Sequence, residues 1–393
     1  MMEVRAAQVA PGDLGEAETL LAAAASRGDA VAFVGGATEL GFGYPAERVD
    51  LLVDTKRLAR ILDYAPADMV VEVEAGITLA GLQKALAPNR QRLALDPPYP
   101  ELATIGGLVA TNAFGPRRTR HGSLRDLIVG ISLVRADGVR VRGGGKVVKN
   151  VAGFDLPKLA VGSLGTLGLI ASATFRLHPL PEAARVLRIE AASGEKLRVV
   201  AREILARQLE PAALSAFRAA DRYDLYVLFE GFEAGVTEQV KLFAALANDA
   251  GLSCTSEGGA GGFEARDESA RTHGTLRLRI AVPPASLAEL HRDALDVLAA
   301  ALDEPRIVVY PMLGIAFVAA DVRDPEKVAA AVIAVRTSAE ALHGNLVVLA
   351  APPSLSDVDV YGTLPPSFGL MRRLKERFDP SRRLNRGRFL GRL

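Results

Sequence analysis

The stretch Ala103-Thr104-Ile105-Gly106-Gly107-Leu108-Val109-Ala110-Thr111-Asn112-Ala113-Phe114-Gly115 brings a threonine, two adjacent glycines and an asparagine into one short segment. Small residues there admit a flat ring system, and Thr104 and Asn112 supply hydrogen bonds to its heteroatoms. Upstream, Ala32-Phe33-Val34-Gly35-Gly36-Ala37-Thr38-Glu39-Leu40-Gly41 sets a glycine pair directly after an apolar run that reads as a buried strand. Paired glycines let consecutive backbone N–H groups converge on an anion without Cβ obstruction, and Thr38 adds a hydroxyl donor. By itself the pair also reads as a plain tight turn, because lone glycine clusters discriminate weakly. Downstream, Lys149-Asn150-Val151-Ala152-Gly153-Phe154-Asp155-Leu156 and then Gly162-Ser163-Leu164-Gly165-Thr166-Leu167-Gly168-Leu169-Ile170 form a third glycine-dense element, with a backbone suited to closing over the far end of a dinucleotide.

Two familiar nucleotide loops fail on spacing. No Gly-x-Gly-x-x-Gly follows the first strand, which argues against a Rossmann site. Gly145-Lys146 is followed by Val147, with no glycine five residues before Gly145 and no Ser or Thr after the lysine, so it is not a Walker A loop.

Composition narrows the partners. The 393 residues carry 47 Lys and Arg against 46 Asp and Glu, and a net charge of +1 gives no electrostatic reason to expect nucleic acid. A small substrate fits better. The lone Cys254 rules out an intramolecular disulfide or a cysteine-built iron–sulfur site within the chain. Glu3, Arg5, Asp13, Glu16 and Glu18 precede the apolar 20–25 stretch, which is not the basic-then-apolar order of a secretory signal, so a cytoplasmic location is expected. No uncharged apolar run approaches the ~18 residues of a membrane span, and any attachment at the inner membrane would come through partner subunits.

Along the chain, periodicity predicts a helix over 16–27, strands over 30–34, 51–54 and 69–73, short helices over 56–61 and 79–86, and a stiff turn at Pro97-Pro98-Tyr99-Pro100. A hairpin is expected over 126–134 and 139–142 around Asp137-Gly138. Pro179 and Pro181 mark a boundary near residue 180. Beyond it, strands over 186–190, 213–217, 225–229, 253–256, 277–281, 308–310, 314–320 and 346–350 alternate with helices over 195–208, 235–250, 286–301 and 325–342. Two βαββαβ units of this kind predict an antiparallel sheet with helices on one face.

Four ordered motifs, the Gly35-Gly36-x-Thr38 loop, Ala103-Thr104-Ile105-Gly106-Gly107, His121-Gly122-Ser123-Leu124-Arg125-Asp126 and Gly162-Ser163-x-Gly165-Thr166-Leu167-Gly168, resemble a PCMH-type FAD-binding domain of the vanillyl-alcohol-oxidase class. The resemblance covers roughly residues 30–180. It implies an α+β chain: a flavin domain of two α/β subdomains over 1–180, a cap domain with an antiparallel sheet and helices over 181–370, and a C-terminal segment over 371–393 returning to the flavin domain. It implies FAD as cofactor. Gly35, Gly36, Ala37, Thr38, Glu39 and Leu40 would hold the pyrophosphate. Thr104, Gly106, Gly107 and Asn112 would line the isoalloxazine and ribityl portion. Gly168 and Ile170 would meet the adenosine end, and Pro98, Gly115 and Gly122 would complete the site. The segment Leu374-Lys375-Glu376-Arg377-Phe378-Asp379-Pro380 to Leu384-Asn385-Arg386-Gly387-Arg388 resembles the ending of this class, with Asn385 returned to the flavin edge. The family usually has proline where Arg386 stands.

Within the class, the 149–155 motif, Leu164 in Gly-Ser-Leu-Gly and Tyr361-Gly362-Thr363-Leu364-Pro365-Pro366 resemble the E subunit of glycolate oxidase, which implies a D-like flavoprotein partner and an iron–sulfur F-like partner. Related 2-hydroxyacid dehydrogenases carry a His-x-His metal site and a His-Gly-Asp-Gly-Asn motif that this chain lacks. His121, His178, His273, His291 and His343 are scattered, so no metal site and no catalytic base are assigned. His343-Gly344 reads as a helix end. With no His or Cys between Gly35 and Gly43, noncovalent FAD is expected. His121 reads as a packing residue and the basic run Arg117-Arg118-Thr119-Arg120 as a solvated loop, the alternative for the run being a carboxylate or partner contact. Three functions remain: a subunit oxidising a 2-hydroxyacid such as glycolate or relaying its electrons, a free-standing FAD dehydrogenase of another small alcohol or acid, and a non-catalytic assembly subunit.

Overall fold

The computed structural model describes residues 6–145, 154–219, 222–290 and 294–393. The chain forms two compact units: one takes the chain up to Phe114, Gly122–Leu180 and Thr363–Leu393, the other Gly115–His121 and Pro181–Gly362.

In the first unit, helix α1 (Leu14–Arg27) starts because the Asp13 side chain accepts from the Glu16 N–H, and stops at Gly28, whose φ of 73° a β-carbon would disfavour. Leu14, Ala17, Leu21 and Ala24 recur at helical spacing and are buried against Val31, Leu51, Val53, Val134 and Leu169. Full burial of each leucine is worth roughly 1.5–3 kcal/mol. Strands β1 (Ala7–Val9), β2 (Val31–Val34) and β3 (Leu51–Asp54) form a parallel sheet in the order β1-β3-β2. The outer edge of β2 is met by the chain's last segment. Val31 N–H donates to the Arg383 carbonyl and Asn385 N–H to the Val31 carbonyl, each at 2.8 Å.

A five-stranded antiparallel sheet follows, β4 (Ile61–Ala65), β5 (Val70–Glu74), β7 (Ile128–Val134), β8 (Arg140–Gly144) and β9 (Leu169–Arg176), in the order β4-β5-β9-β7-β8. Strands β6 (Gln91–Arg92) and β10 (His178–Pro179) pair separately. The expected hairpin is present, with Val134 opposite Arg140, and Asp137 accepting from the Val139 N–H beside Gly138. Helix α2 (Leu79–Leu86) is capped by Thr78. The helix expected over 56–61 is not there. Asp54 accepts from the Lys56 N–H and the Thr55 carbonyl accepts from the Leu58 N–H, so the six residues between the two strands close as a turn.

The second unit is built on an eight-stranded antiparallel sheet. Its strands are β11 (Ala183–Ala192), β12 (Ala213–Ala219), β13 (Arg222–Gly231), β14 (Cys254–Glu257), β15 (Leu276–Ala281), β16 (Asp303–Tyr310), β17 (Ile315–Asp321) and β18 (Asn345–Ala350), in the order β14-β11-β13-β12-β16-β17-β15-β18. Alternate residues such as Leu214, Leu225, Val227, Leu278, Val309 and Val318 form one large core with helices α4 (Gly194–Ala206), α5 (Glu233–Asp249), α7 (Asp296–Ala301) and α8 (Pro325–Ala341). A further helix, α6 (Ala260–Thr272), packs on the opposite face, where Phe263 meets Phe217 and Tyr226. Helices therefore cover both faces, not one. The glycines of Gly258-Gly259-Ala260-Gly261-Gly262 hide this helix from a periodicity reading. Of the helix expected over 286–301, Leu287–Leu290 and Asp296–Ala301 are helical, and residues 291–293, with His291, lie outside the described residues.

The run at 117–120 is not a solvated loop. Arg117 is buried, with its guanidinium on buried Glu230 at 2.6 Å and on Glu264 at 2.6 Å, and Arg120 donates to the Glu230 carbonyl at 2.7 Å. A bidentate guanidinium explains why an apparently basic loop packs inside this unit. Among the described residues no helix is long and apolar enough to cross a membrane.

Candidate cofactor site

In the first unit, the end of β2, the α3 segment (Ile105–Thr111) and the turn before β9 surround a cavity of about 360 Å3. Thr104 caps α3: its Oγ1 accepts from the Gly107 N–H at 3.4 Å. The next segment is tied on by backbone bonds, Gly162 N–H to the Val109 carbonyl and Leu164 N–H to the Ala110 carbonyl, both 2.8 Å. Three segments remote in sequence thus share one wall.

The glycine pair is required by protein packing. A Cβ on Gly35 would stand 2.2 Å from Thr104 Oγ1, and one on Gly36 1.7 Å from the Leu102 carbonyl oxygen. The two loops cross where only glycine fits. Beyond the crossing, Ala37 holds a left-handed φ of 60°. Among the described residues, the N–H groups of Gly35, Gly36, Ala37 and Thr38 have no protein acceptor. Successive unpaired amides around a left-handed residue form an anion-binding concavity. Among the described residues, the charged side chains lining the cavity are Glu39 and Arg388, and the Arg388 guanidinium donates to the Leu40 and Phe42 carbonyls at 2.8 and 2.6 Å. An anion here would therefore be held chiefly by backbone amides, while the mostly apolar remainder suits a flat ring system. The residues present fit a dinucleotide.

Asn385 closes the wall from the C-terminal side. Its Oδ1 accepts from the Phe33 N–H at 3.3 Å and its Nδ2 donates to the Leu164 carbonyl at 2.6 Å. The turn that carries it depends on a buried ion pair. Lys375 Nζ donates to Asp379 at 2.7 Å, to the Thr166 carbonyl at 2.8 Å and to the Leu384 carbonyl at 3.0 Å, and Asp379 accepts from the Leu384 N–H at 2.8 Å. Burial pulls the Lys375 ammonium below the usual lysine range, and Asp379 opposes that shift. Arg386, where the family usually has proline, pairs with Glu47 at 2.8 Å.

Of the residues expected from sequence, Gly35, Gly36, Ala37, Thr38, Glu39, Leu40, Thr104, Gly106, Gly107, Gly168, Ile170 and Asn385 line this cavity. Four do not. Asn112 is the left-handed C-cap of α3. Pro98 is buried outside the cavity lining. Gly122 makes room for Asp126, whose carboxylate a Cβ would approach to 2.7 Å. Gly115 belongs to the second unit, as does His121. Phe33, Thr55, Gly165 and Arg388 also line the cavity. Phe33, Gly165 and Arg388 lay within quoted stretches, whereas Thr55 carried no local signal. The 149–153 motif lies outside the described residues.

Residues 6–144 match the family described as FAD binding domain. Across 97% of its length the chain has the fold of p-cresol methylhydroxylase, with a TM-score of 0.73, 14% identity and 88% of that chain covered. Alkyldihydroxyacetonephosphate synthase is similar at a TM-score of 0.74 and 17% identity, over 96% of this chain and 76% of that one. Residues 6–144 are therefore an FAD-binding domain and the cofactor is FAD, carried in a chain with the fold of p-cresol methylhydroxylase. Among curated relatives, the glycolate oxidase subunit GlcE of Escherichia coli (strain K12) is 38% identical over 177 residues, 45% of this chain and 49% of that protein. The D-lactate dehydrogenase of Archaeoglobus fulgidus is 35% identical over 208 residues, 52% of this chain and 46% of that protein. The chain thus spans about half the length of these curated relatives.

Proposed function

We propose that this chain is the FAD-carrying subunit of a glycolate oxidase or dehydrogenase complex, oxidising a small 2-hydroxyacid or relaying its electrons to an iron–sulfur partner. The observation that carries the reading is the cavity beside an unpaired amide run, in a chain 38% identical to GlcE over the matched stretch. Gly35 to Thr38 would bind the pyrophosphate through N–H groups, Thr104, Gly106 and Gly107 would line the ring, and Asn385 would position the Leu164–Gly165 turn. Among the described residues the cavity lining holds no His or Cys, which favours noncovalent binding. Bound flavin would accept the hydride that leaves the substrate; the protein supplies orientation and exclusion of water. A D-like flavoprotein and an F-like iron–sulfur protein are the proposed partners, and contact with a membrane would run through them.

The test is the visible spectrum of the purified chain before and after anaerobic addition of glycolate or D-lactate. Bleaching of the flavin bands supports substrate oxidation at this subunit. Persistent bands move the role to relay or assembly, and the absence of flavin after reconstitution refutes the cofactor assignment.

A further inference from the structure

Helix α6 stands apart from the other helices of the second unit. It packs on the face of the sheet opposite α4, α5 and α8, and its start carries four glycines within five positions, Gly258, Gly259, Gly261 and Gly262. A Cβ added at any of these four meets no atom within 4 Å, and none adopts the left-handed φ that favours glycine. Neither crowding nor backbone geometry therefore calls for glycine. What four glycines do supply is conformational freedom, and two of them lie in the first turn of the helix, where alanine would be more favourable. That turn also has no side-chain cap, whereas Ser193 caps α4 and Asp324 caps α8.

The opposite end is anchored. Gly274 has a φ of 66° and lies so close to Ala320 that a Cβ would fall 2.3 Å from its backbone, while the Thr275 N–H donates to Asp321 at 3.1 Å. The seam between these ends is thin in apolar contact. Helix α8 buries Val328, Ala331, Val332, Val335 and Ala339, whereas the apolar residues buried on α6 are Phe263 and Ala270. The remainder of the seam is polar: Arg117 bridges Glu264 of α6 and Glu230 of β13 at 2.6 Å each, the Tyr310 hydroxyl donates to Asp267 at 2.7 Å, and Arg271 donates to Tyr310 at 3.3 Å with its guanidinium 4.1 Å from the Phe317 ring centroid. Water replaces hydrogen bonds of this kind at modest net cost, which it cannot do for an apolar seam.

The covered surface has its own reason to open. Tyr226, which packs against Phe263 and lies under the Arg266 guanidinium, faces Ser215 across the β12–β13 pair. Both side chains are buried, and neither hydroxyl has a hydrogen-bond partner among the described residues. An orphaned buried hydroxyl raises the free energy of the closed state, and water reaching it removes that penalty.

We propose that α6 is a hinged cover over this face of the sheet, lifting from its glycine-rich start as the half-exposed Glu264 leaves Arg117, and pivoting on the anchored Gly274 to open the Tyr226 and Ser215 face to solvent. Amide hydrogen exchange of the full chain under native conditions tests this. The amides of α6 should exchange as one block at least about tenfold faster than those of α5 and α8. Gly261→Ala with Gly262→Ala adds methyls into open space, so the variant folds as the parent does, and it should slow that block alone by about 30-fold, roughly fivefold per glycine. Tyr310→Phe should speed the same block. An α6 block as slow as α5, an unchanged rate in the double-alanine chain, or a Tyr310→Phe effect spread evenly over all helices of the unit would overturn the proposal.

Discussion

Gly107→Leu separates the cavity from the fold that builds it. Gly107 lies on α3 and lines the cavity, and a Cβ there meets only Thr104 Oγ1, at 3.3 Å. Exchanging a helical glycine for a strong helix former is worth up to about 1 kcal/mol, so the variant should fold at least as well as the parent. Its four added carbons, each filling roughly the ~30 Å3 of a water, take up about a third of the 360 Å3 cavity. Bound FAD must then displace or press against that side chain, at the ~1–3 kcal/mol of overpacking, which is about 5- to 150-fold in Kd. The assay is a fluorescence titration of flavin-stripped protein with FAD, run beside a thermal melt. Parental affinity in a variant that melts at or above the parent's temperature would refute the placement of FAD in this cavity.

Gly36→Ala should behave oppositely, destabilising the flavin-free chain by about 2–3 kcal/mol because its methyl meets the Leu102 carbonyl; a loss seen only with FAD present would contradict the packing account. Arg117→Ala strands the buried Glu230 carboxylate and should cost about 3–5 kcal/mol in denaturant unfolding, with Glu230→Gln recovering part of it. A cost below about 1 kcal/mol would mean that water solvates Glu230. Burial pushes the Tyr223 hydroxyl up to about 12. The folded chain then holds that proton more tightly than the unfolded one, so the stability Tyr223 contributes is intact below about pH 10 and lost as pH rises through about 12. Tyr223→Phe should remove that part of the alkaline slope, and an unaltered slope would disprove the assignment.

Local chemistry in the sequence was enough for the elements whose signals are local. Thr78 and the apolar spacing of Leu79, Leu82 and Leu86 specify α2, and Asp137-Gly138 specifies the β7–β8 turn, because caps and tight turns act over three or four residues. Strand and helix order in the second unit was legible for the same reason: alternation and 3.6-residue periodicity are properties of each segment alone. Glycine-rich α6 and the turn at 56–61 misled because a short segment takes its state from what it packs against. The glycine motifs marked the three segments that meet at the cavity. Tertiary structure decided why the glycines are there: Gly35 and Gly36 yield to Thr104 and Leu102, residues nearly seventy positions away. It also decided that Arg117 is an interior partner of Glu230 and that Lys375 ties Thr166 to Leu384. Such pairings depend on loop closure and exclusion of water, which the folded chain supplies and no single segment encodes.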